Sequence, residues 1–202
     1  MEPHNEYVKS YLASFDQAHH ELNSTIGAAD DVVIQEWISE GRRLESIDDV
    51  LAPTGCTKSE IEQVRSALSG LMPASFEAFL HVMGKMKRHV DLRANCYFPA
   101  VLAANDDLQA WQAELARLSP DRFAAGDYEV PANAQPIGHH EGYRFAFVVG
   151  DSDDPPLLWL REGSASAATI DDVTFSQRVC DAIAHRATTE IRRLDRIQSR
   201  RL

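Results

Sequence analysis

Three aspartates in the second half of the chain form its densest set of possible ligand groups. Asp151, Asp153 and Asp154 lie within the segment Gly-Asp-Ser-Asp-Asp-Pro-Pro that begins at residue 150. Hard cations such as Ca²⁺ prefer several oxygen ligands, so this spacing suggests cation binding. A calcium loop of the EF-hand type needs glycine at its sixth position, where this chain has Pro156. We therefore predict no metal site, and we interpret the segment as a polar turn between strands or as a partner-binding patch.

Two pairs of adjacent histidines could serve in acid–base chemistry or as metal ligands. They are His19 with His20, and His139 with His140, the latter followed by Glu141. Adjacent residues point to opposite faces of a strand and diverge by about 100° on a helix, so neither pair converges on one site. These residues therefore predict no catalytic centre, although an active site assembled from distant residues stays open.

The chain lacks the glycine-rich sequences that bind phosphate groups and the nucleophile motif G-x-S-x-G. Its three cysteines, Cys56, Cys96 and Cys180, stand too far apart for a metal-binding C-x-x-C pair. The first six residues do not resemble a signal peptide, and no apolar run reaches the roughly 18 residues of a membrane span. We expect a cytoplasmic protein with reduced thiols, no cofactor and no membrane association.

The net charge of −11 is unevenly distributed along the 202 residues. Residues 186–202 contain six arginines and two acidic residues, a net charge of +4, which leaves −15 for residues 1–185. Such an acidic body makes nucleic acid an unlikely partner and favours a cationic one. The candidate residues of this tail are Arg192, Arg193, Arg196 and Arg200. They predict either an arm that binds nucleic acid or a helix that lies on acidic surface, which belongs to the same chain or to another copy of it. We favour the helix on acidic surface, and this interpretation allows a homodimer.

Hydrophobic periodicity predicts helices up to about residue 118. Thr57 and Glu60 have the spacing of a capping box and predict a helix over 59–69. A further helix is expected after Pro73, with Gly84 as its left-handed stop. Asn105 is expected to cap another helix over 105–118.

Residues 127–170 contain frequent proline and glycine and predict strands. Alternation over 143–149 predicts a half-buried strand, 157–160 its partner, and 135–138 and 167–170 outer strands. Thr174 and Gln177 then predict the start of a helix over 175–199, whose last turns we expect to extend past the core. Helices on both sides of one strand-rich zone indicate an α+β fold.

Two stretches of the chain contain short motifs in a distinctive order. They are Leu71-Met72-Pro73, Phe79-Leu80 with Gly84, Gln135-Pro136-Ile137-Gly138, Asp153-Asp154-Pro155-Pro156 and Thr174-Phe175-Ser176. Their order and spacing resemble the SUKH superfamily, the Smi/Knr-type cell-wall-regulator domains. The pattern of that family has a helix ending near Leu-Pro, an F-L helix closed by Gly, an "iP-ig" strand, an Asp-Asp-Pro turn and a final "sF" helix.

The resemblance implies a mixed, mainly antiparallel sheet with helices packed against it. It divides the chain into an N-terminal helical extension (1–55), a SUKH-like α+β domain (56–185) and an Arg-rich helical tail (186–202). Bacterial members of the family are mostly immunity proteins that neutralise toxins, often nucleases, and eukaryotic members are regulatory scaffolds. We therefore expect a non-catalytic immunity protein that binds a cationic toxin, or alternatively a scaffold acting through its tail or by self-association. The candidate partner-binding residues are Glu141, Asp151, Asp153, Asp154 and, as an aromatic anchor, Trp159.

Overall fold

A computed structural model describes residues 4–40, 51–68, 72–85, 92, 96–124, 126, 129–140, 144–161 and 168–201. The helices within these ranges are α1 (His4–Ile26), α2 (Asp31–Glu40), α3 (Lys58–Ala67), α4 (Ala74–Met83), α5 (Phe98–Leu118), α6 (Pro120–Ala124) and α7 (Phe175–Ser199). The strands are β1 (Ala134–His140), β2 (Arg144–Val149), β3 (Pro156–Arg161) and β4 (Ala168–Thr174). The predicted α+β class is confirmed.

The four strands form one antiparallel sheet in the order β1-β2-β3-β4. Each strand therefore pairs with its neighbour along the chain, as successive hairpins do. Register shifts occur between Pro136 and Gly138 in β1 and between Pro156 and Leu158 in β3. A proline has no N–H to donate to a ladder, which is consistent with irregular pairing near both prolines.

Both faces of β2 are buried, so the prediction of a half-buried strand over 143–149 is wrong. Alternate β2 residues Ala146 and Val148 pack in the main core, which contains residues of α1, α2, α3, α4 and α7. Their neighbours Phe145 and Phe147 pack in a second cluster with Trp111 and other residues of α5. Because α5 covers the face that alternation alone would leave to solvent, the molecule has three layers.

α1 belongs to the main core. Its buried side chains Tyr11, Phe15 and Leu22 lie in the same cluster as residues of α4, α7 and the sheet. The phenol of Tyr11 also donates a hydrogen bond to the carbonyl oxygen of Ser75 at 3.0 Å. α1 is therefore joined to the rest of the chain through apolar packing and a buried hydrogen bond.

Two helix ends differ from their predicted form. α5 begins at Phe98 and not at Asn105, because Pro99 occupies its first turn, where a missing N–H costs nothing. Gly84 has φ −60° and ends α4 without a left-handed turn. A side chain there would bring Cβ within 2.6 Å of the Cys56 sulfur and 2.8 Å of the Leu80 carbonyl oxygen, so close packing explains this glycine.

We predicted that the last turns of α7 extend past the core, and this prediction is wrong. Leu194 and Ile197 are about 1% exposed and lie in the main cluster. α7 packs against α1 along one side and against α2 along another. The described part of the Arg-rich tail is therefore an integral part of the helical layer.

Candidate functional site

The acidic turn of residues 150–155 connects β2 to β3 and is held by three parts of the chain. Gly150 has φ +90°, a conformation that favours glycine, and its N–H bonds to the Asn133 carbonyl oxygen at 3.2 Å. The Asp153 carbonyl oxygen accepts from the Ser75 N–H at 2.9 Å, at the start of α4. The Pro155 carbonyl oxygen accepts from the Phe175 N–H at 2.8 Å, at the start of α7.

The three aspartates of this turn have different roles. The Asp154 carboxylate accepts from the Ser176 N–H at 2.9 Å and from the Ser176 hydroxyl at 2.5 Å. It therefore caps the first turn of α7, where a carboxylate also stabilises the positive end of the helix dipole. Asp151 and Asp153 are exposed and form no ion pair with any described residue.

A cleft of about 190 Å³ lies beside the turn, where the sheet ends. Asn133 and Gln135 line it from β1 and the residue before it, and Asp151, Ser152 and Asp153 line it from the turn. Met72, Pro73 and Val148 are the apolar residues of the lining. The complete lining is Met72, Pro73, Asn133, Gln135, Val148, Gly150, Asp151, Ser152 and Asp153. The cleft therefore combines an apolar wall with oxygen acceptors.

The negative field of the turn reaches α1. Burial raises the pKa of the Tyr7 phenol, and the carboxylates of Asp154 and Asp153 raise it further by disfavouring a third negative charge. The carboxylates of Asp153 and Asp154 therefore lie close enough to α1 to act on the Tyr7 phenol.

Trp159, another predicted site residue, does not contribute to this surface. Trp159 is 6% exposed and packs in the main core, and its indole nitrogen has no hydrogen-bond partner among the described residues. It is therefore a core residue and not an aromatic anchor for a partner. Glu141 lies outside the described residues.

The arginines of the tail are largely engaged within the chain. Glu190 is 2% exposed, and its carboxylate pairs with Arg186 at 2.9 Å and with Arg193 at 2.8 Å. The same carboxylate accepts the Trp37 indole N–H at 3.0 Å. Arg193 also donates to the Trp37 carbonyl oxygen and lies over its ring, 5.2 Å from the centroid. We call Glu190, Arg186, Arg193 and Trp37 the α2–α7 clasp.

Two further ion pairs join the end of α7 to α2. Arg200 pairs with Glu40 at 3.3 Å and Arg201 with Glu36 at 2.5 Å. Arg192 and Arg196 are exposed and have no ion pair within the described part of the chain. Of the four candidate tail residues, Arg193 and Arg200 therefore bind the chain's own acidic groups.

His139 has the most dyad-like geometry among the described histidines. Its Nε2 lies 3.1 Å from an Asp107 carboxylate oxygen, while its Nδ1 is buried and has no hydrogen-bond partner in the part of the chain that the structure describes. A general base needs a ring nitrogen that faces the substrate, and here one nitrogen faces Asp107 and the other faces the interior. The pair therefore joins α5 to β1.

Burial makes two of the thiols weakly acidic. It raises the pKa of Cys56 to about 11 and that of Cys96 to about 12, which disfavours the reactive thiolate at neutral pH.

In the described residues, no three His, Cys, Asp or Glu side chains converge so that they could hold a metal ion. No described helix is long and apolar enough to cross a membrane.

The sequence prediction missed the cleft residues Asn133, Gln135, Met72 and Pro73. Gln135 pairs with Val148 across the β1–β2 ladder, which places its side chain near the turn. The bond from Ser75 to Asp153 places the segment before α4 on the other side of the turn. These juxtapositions come from contacts across more than ten residues, which no local pattern encodes.

No family model, curated protein or solved structure matches this chain.

Proposed function

We propose that this chain is a non-catalytic protein-binding module whose acidic turn and adjoining cleft receive a cationic protein partner. The observation that carries the proposal is the contrast between two charged surfaces. Asp151 and Asp153 are exposed without ion pairs among the described residues, whereas most described tail arginines are paired within the chain. The acidic surface is thus available to a partner.

The charge of the molecule supports the same proposal. With a net charge of −11, the chain attracts basic partners at long range and repels nucleic acid. Electrostatic complementarity mainly accelerates association and selects the correct partner. A toxin with a basic substrate-binding surface, such as a nuclease, is a partner of this kind, and the resemblance to immunity proteins agrees with it.

The test is binding to the product of the neighbouring gene, measured by calorimetry at low and high salt. Replacing Asp151 and Asp153 with Asn should weaken binding and reduce its salt dependence, because exposed charges are screened. The matched control is Asp16→Asn with Asp195→Asn, which removes two exposed negative charges elsewhere and so has the same net charge as the turn variant. Equal affinity of both double variants and the parent chain would exclude the acidic turn as the interface.

A second function, as a scaffold that associates with itself or a partner through its tail, is favoured by one observation. Arg192 and Arg196 project from α7 without ion pairs among the described residues. Truncation at residue 186 would remove the buried residues Leu194 and Ile197, so Arg192→Gln with Arg196→Gln is the cleaner variant. Analytical ultracentrifugation of both chains should detect self-association that the variant loses; monomers in both cases would contradict self-association.

A further inference from the structure

We infer that the cleft beside the acidic turn receives a single arginine side chain of the partner. This inference rests on the proposed function, because it names the group through which a cationic protein would engage the site. It depends on the volume of the cleft, its apolar wall and its hydrogen-bond acceptors taken together.

The volume of the cleft suits one long side chain. A cavity of roughly 150 Å³ is sufficient to hold a benzene molecule. The cleft measures about 190 Å³, so a planar guanidinium group fits together with part of its methylene stem. A folded element such as a helix does not fit in this space, and it would rest outside while one side chain enters.

The apolar part of the lining suits the methylene groups of that side chain. Met72, Pro73 and Val148 contribute this wall. Arginine and lysine both place their aliphatic stems along apolar surface while the charged head stays in a polar environment. The wall alone therefore favours a long basic side chain without distinguishing between the two.

The acceptors distinguish arginine from lysine. Asn133 and Gln135, from β1 and the residue before it, and Asp151 and Asp153, from the turn, all line the cleft. A guanidinium group has five N–H donors in a planar fork and can bond to acceptors from both segments at once. An ammonium group is a compact point charge that is strongly hydrated, so it gains less from acceptors spread in this way.

The site is held in place before a partner arrives. The Asp154–Ser176, Ser75–Asp153 and Gly150–Asn133 hydrogen bonds fix the turn to α7, α4 and the start of β1. Ordering a binding loop costs free energy, so a turn that is already held binds more tightly than a mobile one. The exposed carboxylates can therefore select a partner group by its geometry.

The test uses three short peptides, acetyl-Gly-Xaa-Gly-amide with arginine, lysine or the uncharged isostere citrulline as Xaa. Each is titrated into the ¹⁵N-labelled full chain, and backbone amide shifts are followed by NMR. We expect saturable shifts at residues 150–153 and at Gln135 with the arginine peptide, about tenfold weaker binding of lysine, and no saturation with citrulline. Equal affinity for arginine and lysine, or shifts confined to other surfaces, would overturn the inference.

Variants identify the groups responsible. Asp151→Asn with Asp153→Asn should lower the affinity for the arginine peptide by about 10- to 100-fold, and Gln135→Leu by a smaller factor. The Asp16→Asn, Asp195→Asn control should leave it unchanged, and urea midpoints should show that every variant folds. Undiminished binding to the turn variant would contradict the inference.

The two proposals fail separately. If the turn variant loses the protein partner but the arginine peptide never binds the cleft, the arginine site is wrong and the acidic interface stands. If the turn variant keeps the protein partner and the peptide does not bind, both proposals are wrong.

Discussion

Replacing Glu190 with Gln removes the charge at the centre of the α2–α7 clasp. The carboxylate is 2% exposed and bonds to two guanidinium groups and one indole N–H at 2.8–3.0 Å. The glutamine amide keeps one oxygen acceptor, but its NH₂ group is itself a donor and must face one of the N–H donors that the carboxylate accepted. Arg186 and Arg193 then lack a counter-charge in a site where burial already lowers the pKa of Arg193.

The magnitude follows from how far the arginines are withdrawn from water. Breaking a fully buried ion pair costs about 3–5 kcal/mol. The side chains of Arg186 and Arg193 are 26% and 21% exposed, so water compensates part of the loss. We expect Glu190→Gln to lower the free energy of unfolding by about 2–4 kcal/mol.

The assay is urea unfolding followed by circular dichroism and tryptophan fluorescence, since Trp37 belongs to the clasp. The matched control is Glu114→Gln, which removes an exposed pairing with Arg117 on α5. Exposed ion pairs contribute little, so this control should keep the parental midpoint. If Glu190→Gln also keeps the parental midpoint, the clasp contributes no net stability and the reasoning from burial is wrong.

Three further predictions concern the turn, a tight contact and the thiols. Asp154→Ala should lower the free energy of unfolding by about 1–2 kcal/mol by removing the cap on α7, while Asp151→Ala should not; equal urea midpoints for the two variants would contradict the capping role. Gly55→Ala would place Cβ only 1.7 Å from the His81 carbonyl oxygen, so we expect loss of the thermal transition or a large drop in its midpoint; a parental melting curve would refute the contact. Because burial raises the pKa of Cys56 to about 11 and of Cys96 to about 12, iodoacetamide at pH 8 should label the more exposed Cys180 first, as mass spectrometry would show; early labelling of Cys96 would contradict this order.

The features that the sequence predicted correctly depend on neighbouring residues. Thr57 and Glu60 form the predicted capping box, with the Thr57 N–H bonded to the Glu60 carboxylate at 2.7 Å. Thr174 caps α7 as expected, and the strands over 144–149 and 156–161 form a hairpin as their spacing indicated. A cap or a hairpin is decided within a few residues, so its signal survives in one sequence.

The errors arose where a distant element changes the meaning of a local pattern. The alternation of apolar and polar residues in β2 indicated one solvent-exposed face, but Trp111 of α5 packs on that face. Trp159 suggested an anchor by residue type alone, and only its place under the helices shows that it is core.

By itself, the sequence determined the mixed helix and strand content, the two main caps and the uneven charge. Only the tertiary structure decided what the charged groups do. Asp154 differs from Asp153 because Ser176, 22 residues away, offers it two hydrogen bonds. Arg193 meets Trp37 across 156 residues. Electrostatic and hydrogen-bond energies depend on distance in space and on burial, and neither quantity can be read from spacing along the chain.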